Sequence, residues 1–130
     1  MPVLSQKEMR VFKRNLYLIH KEFLKALNLP FIELFLFEEC KTEGEFTVFG
    51  QLTFHEFFKN RAESIDIFLT NPDGTFRSEE EILYTYIHEL THYHLLVHFR
   101  PIYHGKEFEK KERFIKEKFE KLLEKTGENK

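Results

Sequence analysis

The chain has one cysteine, Cys40, no tryptophan, four prolines and five glycines among its 130 residues. A single thiol can neither close an internal disulfide nor build a thiolate zinc cluster, so a reducing, cytoplasmic setting is expected. No apolar run approaches the roughly 18 residues that a membrane helix needs. Glu33 interrupts even the stretch from Phe31 to Phe37. Met1 to Ser5 shows no charged start followed by an apolar core, which predicts that the chain is not exported. Neither sign of charge is in excess. The net charge of -2 and a pI near 6.4 exclude a generally basic nucleic-acid binder.

What is present is ordinary for a folded domain. Apolar residues make up 42% and charged residues 32%, and the length suits one domain over residues 1–130. Sixteen phenylalanines carry much of the apolar share and are expected in the core. The charge is unevenly placed: net +4 over residues 5–28, -8 over 29–103 and +2 over 104–130. The basic face of the first segment is a candidate DNA contact, but such faces are usually only solvated.

Two capping boxes mark helix starts. In Ser5-Gln6-Lys7-Glu8 the hydroxyl and the carboxylate satisfy unpaired backbone donors, and Met9, Phe12, Leu16, Ile19, Phe23 and Leu27 then recur at helical spacing. Pro30 is expected to stop this helix. Phe31 to Phe37, Phe46 to Phe54 and Ile65 to Leu69 read as strands, with Gly50 as a bulge and Asn71-Pro72-Asp73-Gly74 as a turn. Ser78-Glu79-Glu80-Glu81 opens a second helix with Ile82, Leu83, Tyr86, Ile87 and Leu90 buried, ending before Pro101. A last helix starts near His104, turns Phe108, Ile115, Phe119 and Leu122 inward, and frays after Thr126. Cys40 is expected to be a small buried residue near a strand end.

The second helix contains His88-Glu89-Leu90-Thr91-His92, an H-E-x-x-H motif. Histidines four apart on a helix lie one turn above each other, so both imidazoles can reach one metal ion. The intervening glutamate can then deprotonate a metal-bound water as it attacks a carbonyl. Chance alone yields the motif in roughly 0.06 of chains with this composition, so its surroundings must decide.

A catalytic zinc commonly takes a third protein ligand. His98 has the metzincin spacing, but the glycine which that pattern requires is Leu95 here. On a continuing helix His98 would lie about 240° around from His92, and His94 about 200°. Glu112, twenty residues after His92, has a spacing that resembles the thermolysin-like gluzincins, although its neighbours do not match their motif. The fourth candidate is His104, within His104-Gly105-Lys106-Glu107-Phe108.

With that segment the chain resembles the SprT-like zinc metallopeptidase family, which pairs H-E-x-x-H with a downstream H-G-x-x-F. The preceding order also matches the family: strand Ile65 to Leu69, then Asn71-Pro72, then the motif helix. The specific motifs lie between Ile65 and Phe108. The resemblance implies His88, His92 and His104 as ligands of one zinc ion per chain and Glu89 as general base. Phe108 would pack beneath the third ligand. It also implies protein or peptide substrates, extended along a strand edge. Some family members act on DNA-associated proteins, and many add a cysteine-rich zinc ribbon or DNA-binding extensions that this sequence does not show.

The expected fold is α+β, a minimal zincin-like domain. It would have an N-terminal helix, a small, mainly antiparallel sheet of about three strands, the motif helix and a C-terminal helix. Two rival functions stand beside this one: a minimal gluzincin completed by Glu112, and a zinc-stabilised DNA- or protein-binding module without turnover. Tyr86, Tyr93, Arg100 and Tyr103 lie near enough to the motif to be candidates for stabilising an oxyanion. His20, His55 and His94 are expected to be surface or hydrogen-bonded structural residues.

Overall fold

The structure, a computed structural model, describes residues 4–58, 61–98 and 105–128, with side chains through residue 125. Helix α1 spans Gln6–Ala26, and Ser5 caps it with the expected reciprocal bonds to Glu8. It stops before Pro30. Asn28 adopts a left-handed conformation (φ 56), while the Asn28 and Leu29 amides bond back to the Lys25 and Leu24 carbonyls. This pairing closes the helix end, so proline is not needed to break it.

Five strands follow: β1 (Glu33–Phe37), β2 (Lys41–Glu43), β3 (Phe46–Val48), β4 (Gly50–Phe54) and β5 (Ala62–Phe68). β2 and β3 form a small antiparallel hairpin, and the other three make one sheet in the order β1-β5-β4. β4 and β5 are antiparallel, but β1 and β5 run parallel. The sheet is therefore mixed, which corrects the expectation of a mainly antiparallel one. The stretch from Phe46 to Phe54 is two strands broken at Phe49. The bulge lies between Thr53 and Phe54, not at Gly50. The predicted turn is present, with the Gly74 amide bonded to the Asn71 carbonyl and Gly74 at φ 89.

Helix α2 (Glu79–Val97) starts at the Ser78 capping box. Helix α3 (Lys106–Glu128) runs past Thr126 in helical form, two residues further than the expected fraying point. The molecule is thus α+β, with three helices and two small sheets. Leu34, Leu36, Ile65 and Ile67 present one sheet face to Met9, Leu16 and Phe23 of α1 and to Ile82, Tyr86 and Leu90 of α2. Ile115 and Phe119 of α3 close the same core, the Phe119 ring standing edge-on to Phe23 at 5.1 Å. Among the described residues no helix is long and apolar enough to cross a membrane.

The phenylalanines are not all core, which corrects a second expectation. Phe23, Phe68, Phe108 and Phe119 are buried, whereas Phe31, Phe35, Phe46, Phe57 and Phe58 are exposed. Strand alternation explains part of this. Phe35 and Phe37 occupy the face of β1 opposite to Leu34 and Leu36, where the Phe37 ring stacks on Phe68 at 5.4 Å. Cys40 is only half-buried. The outer edge of β1 is partly blunted, because the Leu36 amide donates to the Tyr17 hydroxyl at 3.1 Å.

His20 is buried, with Nε2 2.7 Å from the Ile32 carbonyl and Nδ1 2.7 Å from the Tyr86 hydroxyl. A carbonyl only accepts, so Nε2 donates to it and Nδ1 accepts from Tyr86. Burial lowers the His20 pKa below its ordinary 6.5, against smaller opposing effects of the Ile32 bond and Glu33. The unfolded chain therefore binds this proton more readily than the folded one. The stability from neutral His20 is full above about pH 6.5 and falls as pH drops below it, by at most about 1.4 kcal/mol per pH unit. In urea unfolding of chelator-treated protein at pH 7.5 and 5.5, acidification should be less favourable to the wild type than to His20→Gln. An identical change in both proteins would remove His20 as a source. The remaining slope has two opposed sources: burial lowers His94 to about 4, which adds to the loss, and raises Glu89 to about 7, so that its protonation restores stability as pH falls.

Candidate metal centre and catalytic carboxylate

α2 is buried almost all the way round, as a helix between a sheet and a second helix must be. Its polar residues Thr85, Glu89, Thr91 and His94 are buried along with its apolar ones. His88 and His92 share one flank, one turn apart, with ring centroids 4.9 Å from each other and planes at 82°. Phe108, from the first turns of α3, is buried against both imidazoles, 4.9 Å from His88 and 4.6 Å from His92. Tyr84 stacks on the His88 ring from one turn earlier.

One turn beyond Phe108, Glu112 places Oε2 2.9 Å from Nδ1 of His88. Both side chains are about three-quarters buried, with 26% of His88 and 22% of Glu112 exposed. The sequence offered Glu112 as an alternative third metal donor. In the fold its carboxylate engages the Nδ1 side of His88.

Glu89 lies on the sheet side of α2 and is only 8% exposed. Burial, with a smaller contribution from the negative charge of Asp66, lifts its pKa from 4.5 to about 7. Asp66 is fixed on β5 by Ser64 Oγ at 2.8 Å, by Gln51 Nε2 at 3.0 Å and by the Thr53 hydroxyl. Above Glu89 passes the first residue of β4, Gly50. A Cβ built there would stand 3.1 Å from Glu89 Cγ and 2.5 Å from Thr85 Cγ2. Glycine is required at this point by the close approach of strand to helix.

Arg77 holds that approach in place. Its Nη1 donates to the Phe68 carbonyl at 2.8 Å and to the Phe49 carbonyl at 3.4 Å. Its Nη2 donates to the Glu81 carbonyl at 3.1 Å and to the Thr85 hydroxyl. The guanidinium also lies 4.3 Å from the centre of the Phe49 ring. One buried cation therefore ties the start of β4, the end of β5 and the first turns of α2. In the sequence it was a lone arginine before a capping box, and no spacing marked it.

Of the residues singled out from sequence, the fold brings His88, His92 and Phe108 together, with Glu89 on the adjoining side of the same helix. The predicted third ligand, His104, lies outside the described residues, as do Arg100 and Tyr103. Gly105 directly precedes α3 and accepts the Glu109 amide at 2.9 Å. His98 caps the end of α2 and stacks on His94, with ring centroids 4.4 Å apart. Tyr86 and Tyr93 are committed to the fold, Tyr86 through His20 and Tyr93 by donating to the Pro30 carbonyl at 2.9 Å. His55 accepts from the Phe57 and Phe58 amides and so orders the loop after β4.

Among the described residues no three His, Cys, Asp or Glu side chains are gathered as a metal site. The donor chemistry nonetheless suits zinc: two adjacent imidazoles on one helix flank, with a carboxylate at Nδ1 of one of them. No protein-family model, curated protein or solved structure matches the chain significantly.

Proposed function

We propose that this chain is a zinc-dependent metallopeptidase of the SprT-like kind, built on a minimal zincin-like domain. His88, His92 and His104 hold one zinc ion per chain, and Glu89 is the catalytic base. The observation that carries the reading is the position of Glu89. Its carboxylate is buried on α2 directly beneath Gly50, where the edge strand β4 begins, one residue from the paired imidazoles. Base, donors and a strand edge thus adjoin one another.

An extended polypeptide can add itself to such an edge through main-chain hydrogen bonds, which provide affinity with little sequence preference. Bound zinc supplies a Lewis acid that polarises a carbonyl oxygen and acidifies a water molecule. Glu89 accepts a proton from the attacking water as its oxygen bonds to the carbonyl carbon. It then delivers that proton to the amide nitrogen as the C–N bond breaks, leaving a carboxylate and an amine. Burial, which in the metal-free chain raises this carboxyl to about 7, favours its uptake of a proton and so assists the transfer. Unfolded proteins or peptides are the substrate class, DNA-associated proteins included, and the single half-buried thiol suits a cytoplasmic setting.

The test is zinc per chain in untagged protein, measured beside the His104→Ala variant. Near one zinc in the wild type and a large loss in the variant are expected. Cleavage of an unfolded protein should stop with chelator and return with added zinc. Unchanged zinc in the variant would move the third ligand to His98 or Glu112 and remove the SprT-like assignment. Full zinc with no cleavage would favour a binding module.

A further inference from the structure

We infer that Glu112 is a positioning residue that fixes the tautomer and orientation of His88, and is not itself a metal ligand. The inference rests on the reading of His88 as a zinc donor. It starts from α3, where Phe108 and Glu112 are four residues apart and therefore share a face. Phe108 packs against both imidazoles, and Glu112 reaches only one of them, at Nδ1 of His88. A carboxylate accepts and does not donate, so Nδ1 carries the proton of this bond. In the neutral ring the lone pair is then on Nε2.

Two consequences follow for that ring. The bond holds it in the less common tautomer, with the nitrogen that can bind metal defined before any ion arrives. The nearby negative charge also makes the imidazole a stronger donor, the usual effect of a carboxylate behind a metal-bound histidine. Phe108 below and Tyr84 alongside restrict rotation, so ring plane and tautomer are both set by contacts outside the motif. A casual surface ion pair would be poorly buried. This one joins residues 24 apart in sequence, on two packed helices, with both side chains mostly covered.

The experiment has two arms. In zinc-free protein at pH 8, long-range proton–nitrogen correlation spectra of the imidazoles report each tautomer. His88 is expected as the Nδ1–H form in the wild type and mainly as the Nε2–H form in Glu112→Ala, with Glu112→Gln in between because its amide oxygen still accepts. A wild-type His88 in the Nε2–H form overturns the inference whether or not zinc binds.

In the second arm, zinc affinity is measured by competition with a chromophoric chelator for wild type, Glu112→Ala and His88→Ala. Glu112→Ala should bind about 10–100-fold more weakly, with the cobalt-substituted spectrum keeping its wild-type band positions. Wild-type affinity in Glu112→Ala overturns the inference alone. A loss as deep as that of His88→Ala, with a changed cobalt spectrum, overturns it in favour of direct ligation. No zinc binding by the wild type removes the metallopeptidase reading, and the inference with it. Circular dichroism of the zinc-free variants separates all of these outcomes from misfolding.

Discussion

Glu89→Gln is expected to reduce peptide cleavage by roughly 10²–10⁴-fold, the range for a lost general base, while zinc per chain stays at the wild-type value. The substitution keeps the shape of the side chain and removes only its ability to take and return a proton. A second result is expected from the same variant. The carboxylate is buried and lies within the field of Asp66, so it destabilises the fold whenever it is charged. Neutral glutamine removes that cost. Chelator-treated Glu89→Gln should therefore unfold at higher urea than the wild type, by about 1 kcal/mol or more at pH 8. Loss of activity with a gain in stability marks a functional residue, whereas loss of both would mark a structural one. Unchanged cleavage with zinc still bound would end the case for Glu89 as base.

Gly50→Ala should be almost as damaging, for a different reason. Its added methyl would meet Thr85 Cγ2 at 2.5 Å, a separation that real structures do not tolerate, and would crowd Glu89 as well. Either the strand lifts or the helix shifts. Overpacking of this kind costs about 1–3 kcal/mol, and it moves the start of β4 away from the carboxylate that the proposed chemistry uses. Thr85→Ser offers the control, since it deletes Cγ2 and keeps the hydroxyl that Arg77 and the Glu81 carbonyl engage. In the double variant most of the lost stability and cleavage should return, with a coupling of about 1 kcal/mol or more in a double-mutant cycle. Additive losses in urea unfolding would show that strand and helix do not meet at this point.

Both capping boxes were legible in the sequence because they are local: Ser5 with Glu8, and Ser78 with Glu81, act within a single turn. The buried faces of α1 and α2 were legible for the same reason, through helical spacing. Strand order was not. β5 lies between β1 and β4, and that placement depends on pairings up to about thirty residues apart that leave no periodic trace in the chain. Gly50 shows how one signal supports two explanations. Glycine in a strand marks either a bulge or a close approach, and only the position of α2 separates them. The motif histidines announced themselves by spacing. Glu112 was visible as a carboxylate at a suggestive distance, but its contact with His88 depends on how α3 crosses α2. Arg77 could not be found, because its partners are mostly backbone carbonyls, which every sequence has.

The Tyr17 hydroxyl on the Leu36 amide makes the two edges of the sheet unlike. An open strand edge is a standing hazard, since any passing chain with spare backbone groups can pair with it, and proteins commonly obstruct such edges. Here a phenol from α1 obstructs one edge at its fourth residue, whereas at the opposite edge the first residue is a glycine pressed against a buried acid. Under the proposed function, stray pairing is discouraged at the edge away from the carboxylate, and a visiting chain would pair instead with the strand whose first residue covers it.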